Sequence, residues 1–301
     1  MTPLAAADPQ PVVADVDGVP MSGLRATAAA PRAAVVAFHG GATTSAYFDC
    51  PDLPRLSLLR LGAALGFSVL ALDRPGYGAS APHAESMMSP QYRVDLSWRA
   101  VDALLPPAAR GAGVFLLGHS IGSEHALRLA TDPRGATLLG LEISATGRAQ
   151  QPAARRILET AAVHEIPKGL GDLLWRPDAL YPPQNAGGRR IASRGCRWEG
   201  PVAAGWREDL PAMAARLDVP VRFSLGDHER VWENGPAALT AVAALFTASP
   251  RAVWHEQHEA GHNLSLGHTA TAYHLSLLAF VEECVAAAGL ERTADHERKA
   301  G

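Results

Sequence analysis

The chain has 301 residues, 48% of them hydrophobic and 19% charged, and its 27 basic and 30 acidic side chains leave a formal net charge of −3. That apolar share excludes a disordered chain, and the near balance of charge lacks the basic footprint that nucleic acid or an anionic membrane surface demands. The length suits either two ordinary domains or one large α/β domain carrying an insertion.

Residues 1–11 show neither a basic start nor an apolar core, so no secretory signal is expected. Residues 12–17 and 21–27 read as short strands around the turn Asp17-Gly18-Val19-Pro20. The run 33–38 is apolar without alternation, as in strands covered on both faces, and it ends abruptly in His39-Gly40-Gly41. Leu53, Leu56, Leu59 and Ala63 predict a helix over 53–65, stopped by Gly66. A strand over 67–72 then runs into Asp73-Arg74-Pro75-Gly76-Tyr77-Gly78.

Val94, Trp98, Val101 and Leu105 share one face of a predicted helix over 92–105. A strand at 114–117, a helix to about residue 130 and a strand at 138–143 follow. Such β-α-β-α alternation predicts a mostly parallel sheet with helices on both faces and right-handed crossovers. The rhythm breaks over 146–218, which is rich in Pro, Arg and Gly and holds Trp175, Tyr181, Trp198 and Trp206. Aromatics that large need something to cover, so this stretch reads as an inserted lid. Alternation resumes with a strand at 219–225, a helix at 236–245, a strand at 252–255 and a last helix at 271–288. A charged, frayed tail is expected over 291–301, and no apolar run is read as long enough to span a membrane.

Gly118-His119-Ser120-Ile121-Gly122 fits G-x-S-x-G between a strand and a helix. A sharp turn there exposes the serine hydroxyl above the sheet. The flanking glycines remove side chains that would collide, and the helix aims free N–H groups at developing negative charge. With these flanks the chain resembles the α/β-hydrolase family over roughly residues 12–288. His39-Gly40-Gly41 is similar to the family's oxyanion turn after its third strand, and Asp73 to Gly78 to its D-x-P-G-x-G turn. The resemblance implies an eight-stranded, mostly parallel sheet with a helical lid inserted after strand 6. The core would be 1–145 with 219–290, and the lid 146–218. It further implies Ser120 as nucleophile, with the N–H groups of Ile121 and Gly41 (Ala42 its neighbour) as oxyanion hole.

A serine nucleophile needs a histidine base and a carboxylate to hold that base's tautomer. The family order is serine, acid, histidine. Past the seventh strand, Gly226-Asp227-His228-Glu229 resembles the family's G-x-x-D, and this register favours Glu229, with Asp227 as the alternative acid. Glu142 is a third candidate, inside the sixth strand. Ala260-Gly261-His262-Asn263 resembles the turn carrying the family's base and picks out His262. His255, His258 and His268 are then surface or supporting residues.

His258-Glu259-Ala260-Gly261-His262 is also a literal H-E-x-x-H, and with His268 it resembles a metzincin zinc site. Against this stand Ser265 where that site has glycine, the lack of any methionine after Met213, and Gly261 inside the required helix. No metal or other cofactor is expected. The widely spaced Cys50, Cys196 and Cys284 read as reduced thiols, which fits a cytoplasmic protein, and the Ala/Arg bias fits a bacterial source.

The expected function is therefore a serine hydrolase (esterase or thioesterase) acting on a small, apolar acyl substrate through an acyl-enzyme. Acyl transfer, cyclisation and carbon–carbon bond hydrolysis stand as alternatives on the same triad. A non-catalytic receptor of the same fold and a zinc protease stand behind them. Trp175, Tyr181, Trp198 and Trp206 are the candidate substrate-binding residues, while Arg189, Arg190 and Arg194 read as a solvated face. No nucleic-acid partner is expected, and a homodimer is left open.

Overall fold

The computed structural model describes residues 8–159 and 167–300; the part of the expected lid at 160–166 lies outside the described residues. The first hairpin forms where the turn sequence predicts it. β1 (Gln10–Val16) returns as β2 (Val19–Ala26), with Val16 opposite Val19 and both Asp17 and Gly18 at positive φ. That two-residue turn matches the twist of the strands it joins.

β3 (Ala34–Phe38), β4 (Ser68–Leu72), β5 (Val114–His119), β6 (Gly140–Ser144), β7 (Val221–Gly226) and β8 (Ala252–Gln257) pair in parallel. The order across the eight-stranded sheet is β1-β2-β4-β3-β5-β6-β7-β8, with β1–β2 and β2–β4 antiparallel. The mostly parallel sheet anticipated from the apolar runs is thus present.

Those runs lack alternation because both faces are covered. In β3, Ala34, Val36 and Phe38 enter one core, and Val35 and Ala37 enter the other. The first core receives Val94, Trp98 and Val101 of α2 (Pro90–Leu104) and Leu127 of α3 (Ile121–Thr131). The second receives Leu58 and Leu59 of α1 (Leu58–Ala64) and Leu277 and Val281 of the C-terminal helix. Each such aliphatic side chain contributes about 1.5–3 kcal/mol on burial.

Two helix boundaries differ from expectation. α1 begins at Leu58, because Pro54–Leu56 forms a separate 3₁₀ turn and Ser57 caps the helix by accepting the Arg60 N–H at 3.1 Å. The C-terminal helix runs over Ala270–Ala300, through the expected tail, in a stretch of good helix formers with no proline. Its segment Ala270–Leu290 is long and apolar enough to cross a membrane, which corrects the reading that no run was. Here it packs one face, Leu277, Leu278, Val281 and Cys284, into the second core.

Between β6 and β7 the described chain forms α4 (Pro152–Glu159), α5 (Leu170–Leu174) and α6 (Glu199–Ala214). α6 is anchored by Trp206, Leu210 and Met213, which share the first core with Leu127. β3 lies between β4 and β5, so the chain leaves its carboxyl end toward one side and later returns on the other. Such a switch point opens a crevice beyond the strand ends. His39-Gly40-Gly41 and Ser120 meet there.

Candidate active site

The turn after β5 is built around strain. Ser120 has φ 54° and ψ −127°, a conformation that costs a side-chain-bearing residue about 1–3 kcal/mol and persists only where its surroundings hold it. Here the Ser120 N–H donates to the Ser144 carbonyl at 2.8 Å, and the Ser123 hydroxyl ties to the Gly118 carbonyl at 3.0 Å. The glycines are steric necessities. A Cβ on Gly118 would sit 2.5 Å from Ser123 Cα, and one on Gly122 would sit 2.4 Å from the carbonyl oxygens of both Phe38 and His39.

His262 reaches this serine from the loop after β8. Its Nε2 lies 3.1 Å from Ser120 Oγ, and its Nδ1 lies 2.9 and 3.2 Å from the two carboxylate oxygens of Glu229. Glu229 is buried and also accepts the N–H groups of Arg230 and Val231 at 3.0 and 2.7 Å. Burial pushes its carboxyl up, but the neighbouring His262 and the backbone amides outweigh that and hold it below the usual range. Glu229 is therefore an ionised acceptor, and a proton on Nδ1 leaves Nε2 free to accept the serine proton. His119 walls the far side, stacked on Tyr47 at 4.3 Å and edge-on to His262 at 5.3 Å. Burial and the nearby His262 keep it uncharged.

Asp227, the alternative acid, is engaged elsewhere. It accepts the N–H groups of Glu259 and Ala260 at 3.0 and 3.1 Å and binds His258 Nδ1 at 2.8 Å. Glu142, the third candidate, is fully buried in a separate network. It binds Arg222 at 2.6 Å and Tyr273 at 2.5 Å.

The H-E-x-x-H string does not form the helix its zinc chemistry requires. Residues 258 and 259 form a turn, with Glu259 at φ 52°, and 260–262 continue as irregular chain. His258 therefore faces Asp227 while His262 faces Glu229, and His268 is exposed. No cluster of metal-binding side chains occurs among the described residues.

The turn after β3 lies against Ser120, since a Cβ on Gly40 would be 3.3 Å from Ser120 Cβ. His39, fully buried, shapes it. Burial and the nearby Arg74 keep its ring uncharged, so Nδ1 donates to the Gly40 carbonyl at 2.8 Å and Nε2 accepts the Arg74 N–H at 3.1 Å. The Ala42 N–H is spent on the Tyr77 hydroxyl at 3.2 Å. The Gly41 N–H has no such partner among the described residues, nor does that of Ile121, at the start of α3.

Sequence reasoning missed the residues that bolt the 146–218 segment to this turn. The buried Arg74 side chain bonds the Gly40 carbonyl at 2.8 Å and pairs with Glu199 at the start of α6. Ser193 N–H donates to the Ala42 carbonyl at 2.8 Å, and Cys196 N–H to the Tyr77 hydroxyl at 3.3 Å. Arg74 stands inside the recognisable turn after β4, but nothing local marks Glu199 as its partner.

The four expected substrate-binding aromatics are mostly packed. Trp198 is buried with the Arg93 and Arg74 guanidiniums over its ring at 3.9 and 5.2 Å. Trp206 lies in the first core, and Tyr181 accepts the Asn263 N–H at 3.2 Å beside His262, with Trp175 tilted against it at 5.2 Å. Arg189, Arg190 and Arg194 are exposed, and Arg190 pairs with Asp52.

A profile described as the alpha/beta hydrolase family matches residues 35–274. The chain belongs to the alpha/beta hydrolase family. Protein ABHD14A of Danio rerio is 49% identical over 99 residues, which is 30% of this chain and 34% of that protein. The match thus spans about a third of that relative's length. Among solved structures, a highly thermostable carboxyl esterase from Bacillus coagulans superimposes with a TM-score of 0.68 at 17% identity, over 93% of this chain and 99% of that one. An epoxide hydrolase from Vigna radiata gives 0.65 at 15%, over 92% and 98%. The thioesterase domain from the curacin biosynthetic pathway gives 0.59 at 19%, over 90% and 100%. At such identities these likenesses speak to the fold.

Proposed function

We propose that this alpha/beta hydrolase is a serine hydrolase that cleaves an ester or thioester of a small acyl compound through an acyl-enzyme. The observation that carries the reading is the continuous chain from Ser120 Oγ through His262 to a buried, ionised Glu229. Ser120 Oγ attacks the carbonyl carbon as His262 Nε2 takes its proton. Glu229 holds the tautomer and stabilises the imidazolium, and the N–H groups of Ile121 and Gly41 receive the oxyanion. His262 then returns the proton to the departing alkoxide or thiolate. Water, deprotonated by the same Nε2, attacks the acyl-enzyme, and release of the acid restores Ser120. Residues 146–218 act as the lid over this site.

A fluorophosphonate probe tests the nucleophile, and an ester and thioester panel tests the reaction. Labelling and turnover should be present in the natural protein and absent from Ser120→Ala. Folded protein that is neither labelled nor active would overturn the proposal.

A further inference from the structure

Glu199 ends beside the Gly41 edge of the oxyanion turn, where nothing in the hydrolytic chemistry above requires a carboxylate. A Cβ placed on Gly41 would lie 3.2 Å from Glu199 Oε2 and 3.6 Å from Ile121 Cγ2, so the carboxylate stands beside Gly41 on the edge that also meets the Ile121 side chain. Its other oxygen, Oε1, is committed to Arg74, and Arg74 is held in turn by the Gly40 carbonyl and the faces of Tyr77 and Trp198. Oε2 has no protein hydrogen-bond partner among the described residues and stays within reach of solvent, on a side chain that is 15% exposed. A carboxylate there keeps its water until a better-placed donor displaces it. One fixed at one end and open at the other is preorganised to accept a hydrogen bond.

A bare carboxylate beside an oxyanion hole would oppose the charge that develops there. Arg74 neutralises Glu199, so the pair presents an acceptor without adding net charge. The group that Oε2 suits is therefore an O–H or N–H carried by the substrate close to its scissile carbonyl. It does not suit a second carboxylate.

We propose that Glu199 is a specificity-determining residue whose Oε2 accepts a hydrogen bond from a hydroxyl or ammonium on the carbon next to the substrate carbonyl or the one beyond. The preferred acyl groups are thus hydroxyacyl or aminoacyl. This rests on the hydrolase reading for its kinetic test but not for its binding test.

The test compares the ethyl esters of butyrate, 2-hydroxybutyrate, 3-hydroxybutyrate and 3-aminobutyrate. In the natural protein at least one donor-bearing ester should exceed butyrate in kcat/KM by about 10- to 100-fold, the discrimination that a hydrogen bond to a charged group supplies. The hydroxyl and amine arms identify which donor is used. Glu199→Ala should bring that ratio close to one. Equal kcat/KM for all four esters, or a preference that survives Glu199→Ala, overturns the assignment. Calorimetric titration of Ser120→Ala protein with the same esters repeats the comparison with Glu199 in place, so it stands even if Glu199→Ala does not fold. If the natural protein hydrolyses none of them, fluorophosphonate labelling decides whether the hydrolase reading fails. Weaker or equal binding of every donor ester relative to ethyl butyrate would then sink the role of Glu199 separately.

Discussion

Asp227 and Glu229 grip opposite ends of one short segment. Asp227 holds the amides of Glu259 and Ala260, and Glu229 holds the ring of His262. Two carboxylates two residues apart therefore engage different groups, one shaping the loop and the other holding the imidazole that the loop presents.

Their substitutions should separate in kinetics. Glu229→Gln removes the ionised acceptor for Nδ1–H and should lower kcat by roughly 10³- to 10⁴-fold, as loss of the tautomer-holding carboxylate does elsewhere. Asp227→Asn should lower it by far less. Steady-state rates on one ester decide the matter, and the reverse ranking would refute the division of labour.

Asp227 should instead appear in stability, with a defined pH dependence. Burial tends to raise its carboxyl, but the amides of Ala260 and Glu259 and the contact with His258 hold it below its ordinary value. Its stabilising effect is therefore fully present above the unfolded value of about 3.9 and is lost as pH falls through the lowered folded value. Asp227→Asn should cost about 1–2 kcal/mol near neutral pH. Denaturant melts should show that gap closing in acid.

Gly122 and Gly41 flank Ile121, one along the chain and one across space, yet alanine should affect them differently. At Gly122 the added carbon meets rigid backbone, the Phe38 and His39 carbonyls, at 2.4 Å, and the strand–helix junction has to separate. At Gly41 it meets only a side-chain carboxylate oxygen, of Glu199, at 3.2 Å, a distance that a shift of a few tenths of an ångström relieves. Thermal melts should find Gly41→Ala folded and Gly122→Ala severely destabilised or insoluble.

Glu142 provides a test away from the site. Its carboxylate joins β6 to Arg222 of β7 and Tyr273 of the last helix, and Arg222 also donates to Ser276 at 2.8 Å. Glu142→Ala leaves a buried guanidinium without its anion and should cost about 3–5 kcal/mol. Glu142→Gln keeps an acceptor for Tyr273 and should cost less. Chemical denaturation measures both.

Much of this organisation was readable from the sequence because it is local. Apolar runs such as 33–38 mark two-sided strands, and Gly118 and Gly122 mark a turn with no room for side chains. The three-residue step from Gly226 picks out Glu229 over Asp227. Local patterns also mislead. The spacing of residues 258–262 suits a zinc helix, but Asp227 draws the amides of Glu259 and Ala260 into a turn, and no periodicity reports that. The leucine spacing over 53–65 gave no hint that Pro54 and Ser57 would split it into two elements. Arg74 and Glu199 remained invisible as a pair for the same reason: contact between residues 125 positions apart leaves no trace in either neighbourhood.

Trp198, immediately before Glu199, is buried with two guanidiniums against its ring. Its indole is therefore a built-in optical gauge. Displacement of the start of α6 would draw it away from Arg93 and Arg74 and change both the charge and the polarity it senses, so in a variant whose other five tryptophans are replaced its emission follows that junction.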